Sequence, residues 1–232
     1  MLDRKIHSSW RSFLTPEIIF KINECAKKLV NEDYYPDRNN ILRFLEMDKD
    51  NIKVVIVGME PYPSSYKDGD KEYPVATGRS FEIANIKDWR EKYKQTSMRN
   101  ILKCIYYNET GEKPTMDKLR DMITDGSFPI LQPTEWFDRM QEQGVLFLNA
   151  TLTVKQGKAG TKFHEDLWAE FVELLIKELE KQNPEWMLWG NVAQERVMPY
   201  VKNTICSCHP RLDRFVYDNC FGRSKSGINW MG

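Results

Sequence analysis

Four short apolar runs constrain what this chain can become: Val54-Val55-Ile56-Val57, Val145-Leu146-Phe147-Leu148, Trp186-Met187-Leu188-Trp189 and Thr204-Ile205-Cys206-Ser207-Cys208. Runs of this length, rich in β-branched and aromatic residues, read as strands buried on both faces. Between them lie segments of helical period. Met98, Ile101, Leu102 and Ile105 share one face, as do Leu167, Trp168, Phe171, Leu174, Leu175 and Leu179. Helices alternating with buried strands predict an α/β fold, a three-layer α/β/α sandwich with a central four-stranded parallel sheet.

The ends of those runs are as telling as their interiors. Gly58 and two prolines stop the first run, placing Glu60 and Tyr62 on a stiff loop. Asn149 comes directly after the second run, Gly190 after the third, and His209-Pro210 after the fourth. In a parallel sheet all four ends lie on one edge, where open α/β sheets bind ligands. A carboxylate, an amide and an imidazole therefore converge there. The amide offers a paired donor and acceptor suited to a nucleobase edge. The carboxylate can orient water or stabilise a cation, and the imidazole can donate to an oxyanion. Tyr62 and Phe81 can enclose a flat ring, although Phe81 also reads as ordinary core. Together these groups suit hydrolysis of the glycosidic bond of a flipped nucleotide.

The rest of the chain carries weaker signals. Residues 1–35 are expected to be helical, with Thr15-Pro16-Glu17 as a helix start, and residues 41–47 to form a short helix. Residues 64–80 read as a long polar loop, 108–128 as irregular, and 155–162 as a flexible basic loop with Lys155, Lys158 and Lys162. Helices are expected from Gln132 to Gly144, from about Glu165 to Lys181, and over 192–201. The stretch after His209-Pro210 reads as a polar loop and short tail. The 232 residues are assigned to a single domain: a helical part over 1–50 and a core over 51–222.

Composition narrows the partners. Thirty-four basic residues balance 34 acidic ones, so any nucleic-acid site must be a local patch. One such patch spans 202–225, where Lys202, Arg211, Arg214, Arg223 and Lys225 face only Asp213 and Asp218. Five cysteines and no signal peptide argue against a disulfide framework and for the cytoplasm. Cys206, Cys208, His209 and Cys220 lack paired zinc spacing and read as buried strand cysteines rather than a metal site. No apolar run reaches membrane-spanning length.

The motifs resemble those of the uracil-DNA glycosylases, particularly the uracil-specific branch. Val-Val-Ile-Val-Gly58-Met59-Glu60-Pro61-Tyr62 resembles the family's water-activating motif, usually Gly-Gln-Asp-Pro-Tyr-His. Gly144-Val-Leu-Phe-Leu-Asn149-Ala-Thr-Leu-Thr-Val154 resembles the uracil-binding strand. Leu188-Trp-Gly-Asn191-Val-Ala-Gln194 looks like the phosphate-loop segment, and His209-Pro-Arg-Leu212 resembles the loop that donates a histidine and a wedge. Ser97-Met-Arg-Asn-Ile101 resembles the start of the helix after the proline-rich loop. The matches run in family order across residues 52–222. Three departures stand out: Glu60 replaces an aspartate, Met59 a glutamine and Pro63 a histidine.

That resemblance implies a monofunctional glycosylase that removes uracil from DNA and leaves an abasic site. It casts Glu60 and His209 as catalytic. Asn149, Phe81, Tyr62 and Met59 would contact the base, with Tyr62 excluding a 5-methyl group. Ser97, Asn191 and Arg211 would sit near phosphates, and Leu212 or Phe215 would fill the gap left by the flipped base. It implies no metal or organic cofactor, DNA as partner (single- or double-stranded), an acidic DNA-mimicking protein as inhibitor, no membrane, and a monomer at the nucleoid or in a host cell's DNA compartment. Two rivals share the fold: a glycosylase for another or modified pyrimidine, as in defence against foreign DNA, and a catalytically weak DNA-binding scaffold. A zinc deaminase is disfavoured, since no His-x-Glu accompanies a Cys-x-x-Cys.

Overall fold

A computed structural model describes residues 1–232. Its centre is a sheet in the order β5-β2-β7-β8, formed by Val145–Asn149, Val54–Gly58, Glu185–Trp189 and Thr204–Ser207. Every neighbouring pair is parallel. Side chains alternate across a strand, so each strand serves two cores. Val55, Val57, Leu146, Leu148, Trp186 and Leu188 point to one face and join α1 (Pro16–Lys28) and α5 (Lys162–Glu180). Val54, Ile56, Val145, Phe147, Met187 and Trp189 point to the other and join α2 (Thr96–Thr110) and α4 (Pro133–Glu142). Each face carries a cluster of 29 buried residues, so the sheet is covered equally on both sides, as continuous apolar strands require. The fold is the expected α/β/α sandwich.

Helix ends obey local chemistry. Thr15 accepts from the Ile18 N–H and Pro16 occupies the first turn of α1. Gly111 closes α2 at φ 72°, which Gly adopts without a Cβ penalty. Helix α6 (Asn191–Val197) is shorter than expected because the chain tightens into a 3₁₀ turn at Met198–Tyr200, around Pro199.

Five expectations need correction. The 1–35 segment is helical only over α1 and a 3₁₀ turn at Ser8–Trp10, and residues 41–47 hold only another 3₁₀ turn, Arg43–Glu46. Residues 64–80 contain a hairpin, β3 (Ser65–Asp68) against β4 (Lys71–Pro74), turning at Gly69 (φ 60°) and braced by the Tyr66 and Tyr73 rings 5.8 Å apart. Residues 108–128 contain α3 (Met116–Asp125), whose Met116, Leu119, Met122 and Ile123 share one face packed on the core, although only Leu119 is fully buried. The terminal stretch is not a loose tail: Trp230 is buried against Phe221, and its carbonyl accepts from the Trp136 indole N–H at 2.8 Å. The last short strands, β1 (Tyr34–Tyr35) and β6 (Val154–Lys155), pair antiparallel beside the main sheet.

The cysteines also differ from expectation. Cys206 and Cys208 are half-buried on and just after β8, whereas Cys220 lies outside the sheet, buried with its sulfur 4.0 Å from that of Cys104 in α2.

One ion pair is buried in the α5 layer. Lys49, 5% exposed, meets Glu178, 6% exposed, and Glu178 also pairs with Lys181. Burial alone would raise the Glu178 carboxyl, but Lys181 and Lys49 together hold it below the usual range. Lys49→Met removes the buried partner, and the protein should lose about 3 kcal/mol of stability in urea denaturation. A Lys49→Met/Glu178→Met double variant should recover most of that loss.

Candidate active site

The register sets the site. Gly58 pairs with Asn149, and Trp189 with Ser207, so the carboxyl ends of all four strands finish within two residues of one level. The ladder continues beyond them: Ala150 N–H donates to Gly58 O at 2.9 Å and Thr151 N–H to Met59 O at 3.0 Å. That ties the Met59–Pro63 turn to the chain leaving β5. Gly58, Asn149 and Trp189 lie on the α2 side, two residues beyond Ile56, Phe147 and Met187. A cavity of about 540 Å³ opens there. Ten of the expected site residues line it: Met59, Glu60, Tyr62, Phe81, Ser97, Asn149, Asn191, His209, Arg211 and Leu212.

The floor of the cavity is preformed. Asn149 is 3% exposed and its side-chain amide makes no hydrogen bond within the protein, so donor and acceptor are both free. Phe81 stands over Trp189 with ring centroids 5.2 Å apart. Its φ of 66° is unusual for an aromatic residue and marks a constrained turn. The constraint comes from its neighbours. Arg79, buried, bonds Glu82 at 3.1 Å, Asp138 at 2.7 Å and Gln141 at 3.0 Å, and Arg43 reaches Glu82 from the other side. Gly58 leaves the floor open: a Cβ there would lie 2.8 Å from the Asn149 Oδ1 and 2.9 Å from the Ser80 Cβ.

The walls carry the ionisable groups. The Glu60 Oε1 accepts from the Gly160 N–H at 2.8 Å, and Oε2 has no partner in the protein. Burial raises the Glu60 carboxyl above its usual range, the Gly160 N–H lowers it, Glu165 raises it and Arg196 lowers it; the net shift is upward. The His209 Nδ1 accepts the Arg211 N–H at 3.0 Å, which leaves the ring proton on Nε2. Burial and then Arg211 push this imidazole below its ordinary value, so it is neutral at pH 7. Gly190, at φ 96°, packs directly beneath the ring, where a Cβ would stand 3.0 Å from that of His209. Tyr62 closes the far side, its hydroxyl buried without a partner and its ionisation pushed up by burial.

Sequence reasoning missed Asn100. Fully buried in α2, it donates from Nδ2 to Pro210 O at 2.8 Å and so fixes the turn that carries His209. A polar residue one turn into a helix gives no sign of this; only the packing does. Phe215 is a correction. It is 0% exposed and edge-on to Trp189 at 5.0 Å, so it belongs to the core and cannot enter DNA. Leu212, 41% exposed at the cavity mouth, is the remaining wedge candidate.

A buried amide and ring flooring a cavity between a carboxylate and a neutral imidazole define an enzyme site for a flat polar heterocycle. Comparison with known proteins gives that class a family. The chain is 31% identical over 224 residues to the uracil-DNA glycosylase of Azobacteroides pseudotrichonymphae, covering 89% of this chain and 84% of that protein. It is 30% identical over 203 residues to the Flavobacterium johnsoniae uracil-DNA glycosylase, covering 84% and 77%. The UNG of Nitratifractor salsuginis superposes with a TM-score of 0.71 at 20% identity, over 94% of this chain and 89% of that one. A variant of the mimivirus UNG in complex with UGI superposes with a TM-score of 0.61 at 23% identity, over 88% and 70%. No family model matches the chain. This protein belongs to the uracil-DNA glycosylase family.

The imidazole geometry has a direct readout. In a proton NMR titration, the His209 ring should change charge below pH 6.5, and Arg211→Ala should move its midpoint part of the way back up. Because the unfolded chain takes up this proton first, His209 should cost stability only as pH falls below about 6.5, and not above it.

Proposed function

We infer that this protein hydrolyses the N-glycosidic bond of uracil in DNA, leaving an abasic site. The observation that carries the chemistry is that Glu60 and His209 line one cavity together with Asn149 and Phe81. In this reading a flipped uracil lies on the Phe81 ring and its edge pairs with the free Asn149 amide. Tyr62 and Met59 bound the ring, with Tyr62 at its 5-position. As the bond from the sugar carbon to the ring nitrogen breaks, its electron pair moves into the base. The His209 Nε2–H donates to the ring oxygen that gains this charge. Positive charge develops on the sugar, and the ionised Glu60 stabilises it and orients the water that adds. The water's second proton leaves through the carboxylate to solvent.

The approach to the site is assigned to DNA. Arg211, Ser97 and Asn191 at the mouth are placed at phosphates and Leu212 at the gap left by the base. Lys155, Lys158 and Lys162 stand exposed and in no ion pair on the neighbouring loop. One structural neighbour, the mimivirus UNG, is held in complex with UGI. A protein inhibitor that competes with DNA for this mouth is the further partner proposed here. No helix is long and apolar enough to cross a membrane.

On a uracil-containing oligonucleotide, Glu60→Gln should lose activity by at least about 10²-fold, since a neutral amide cannot stabilise the cation. Asn149→Asp puts an acceptor where the base needs a donor and should cost roughly 10⁴-fold. Full activity in either variant would remove that residue from its role. Removal of thymine or a 5-modified cytosine by the unaltered protein would instead favour the modified-pyrimidine reading.

DNA affinity should fall steeply with salt, because each neutralised phosphate releases condensed counterion. Arg211→Ala should reduce the slope of log affinity against log salt by about one. An unchanged slope would place Arg211 away from the phosphates.

A further inference from the structure

We propose that the backbone N–H of Gly160 is the positioning group for Glu60, tying one carboxylate oxygen to the 155–162 loop and leaving the other free to face the reacting sugar. The proposal rests on the reading of Glu60 as the catalytic carboxylate.

The contact is the only hydrogen bond that Glu60 makes, at 2.8 Å. It belongs to a loop built to hold it. The Gly157 N–H donates to Pro63 O at 2.7 Å, so the loop is clipped to the Met59–Pro63 turn at two points. Its ends are rooted, one in β6 paired with β1 and the other at the start of α5. Gly157 and Gly160 take φ of 70° and 65°, and both stand in open space. The glycines therefore serve the backbone path that turns the Gly160 N–H toward Glu60.

No other donor is available to the carboxylate. Arg196 of α6 faces it, but its guanidinium is committed to Thr151 at 2.9 Å and Glu165 of α5 at 3.1 Å. Glu165 itself is a like charge. His209, Arg211 and Arg214 line the same cavity, but none of them hydrogen-bonds or pairs with Glu60. Without the Gly160 N–H, a half-buried carboxylate next to another carboxylate would keep its charge less readily and would have no fixed rotamer.

The same contact accounts for the residue type. Glutamate is longer than aspartate by one carbon–carbon bond, roughly 1.5 Å. Here the extra length reaches the loop. An aspartate at position 60 would stop short of Gly160 and lose the tether, so the departure from the family's aspartate and the path of the 155–162 loop form one device.

A backbone ester and an asparagine at position 160 separate the donor from the loop. Replacing Gly160 by glycolate deletes the N–H and leaves the φ of 65° accessible, whereas Gly160→Asn keeps the N–H and tolerates the left-handed conformation, with free space for its side chain. The measurement is the pH dependence of kcat/KM on a uracil-containing oligonucleotide, with Glu60→Gln as reference. In the ester the acid limb should move up by about one pH unit, because a hydrogen bond that favours the charged form is gone. Its kcat at pH 7 should fall about tenfold with KM nearly unchanged. Gly160→Asn should keep its acid limb within a few tenths of a unit of wild type. In a Glu60→Asp background, adding the ester should change kcat less than twofold, since the tether is already absent.

An unmoved limb in the ester, with Glu60→Gln inactive, would overturn the proposal while leaving the catalytic assignment intact. Equal shifts in the ester and the asparagine variant would overturn it too, by making loop shape rather than the N–H responsible. A tenfold further loss in the Glu60→Asp background would do the same. Full activity in Glu60→Gln would end the reading of Glu60, and the proposal with it.

Discussion

The parallel ladder between β2 and β5 does more than join two strands. Its hydrogen bonds run past the ends of both strands, from Ala150 to Gly58 and from Thr151 to Met59. Every element of the cavity inherits its position from that pairing. A slip of one residue would turn Asn149 to the opposite face, because side chains alternate along a strand. The buried apolar runs on both faces forbid such a slip, since it would exchange the residues of two separately packed cores. The register is thus fixed by the same packing that stabilises the fold, and the chemistry is attached to its edge.

Around this ladder the site is braced from three directions. From below, Arg79, Glu82 and Asp138 hold the turn that carries Phe81. From the α2 side, Asn100 holds Pro210 and hence the His209 turn. From the α5 side, the Gly160 N–H reaches Glu60. The first two braces draw on the layer of α2 and α4 and the third on the loop before α5, on the other side of the sheet, and each contacts a residue that lines the cavity or a turn that carries one. Relative placement of carboxylate, amide and imidazole is therefore a property of the whole sandwich rather than of one loop.

Much of this was legible because the chemistry sits where strands end. Four apolar runs reveal the sheet, and the residues just past their ends are Glu60, Asn149, Gly190 and His209. The polar β3–β4 hairpin was not legible, since its strands are largely exposed and show no alternation. Helix α3 escaped because its apolar positions, Met116, Leu119, Met122 and Ile123, are few and set among charged residues in a short segment, although they do follow the helical period. Phe215 was cast at the DNA gap by the resemblance of its loop alone, whereas here it fills the space beside Trp189. The Gly160 contact could not be read at all: a backbone N–H belongs to every residue but proline, and only the path of the chain aims it.

The left-handed turn at Phe81 has a consequence for how the cavity meets its ligand. The ring is fixed by backbone geometry and by a buried charge network before anything enters. The Trp189 ring backs it at 5.2 Å, so the space above it is set by the fold. A heterocycle either matches that space or is refused, and its arrival need not reorganise the floor. Recognition at this face is a matter of fit to a standing template, while adaptation is left to the mobile partner, the nucleotide that must leave its stack to get there.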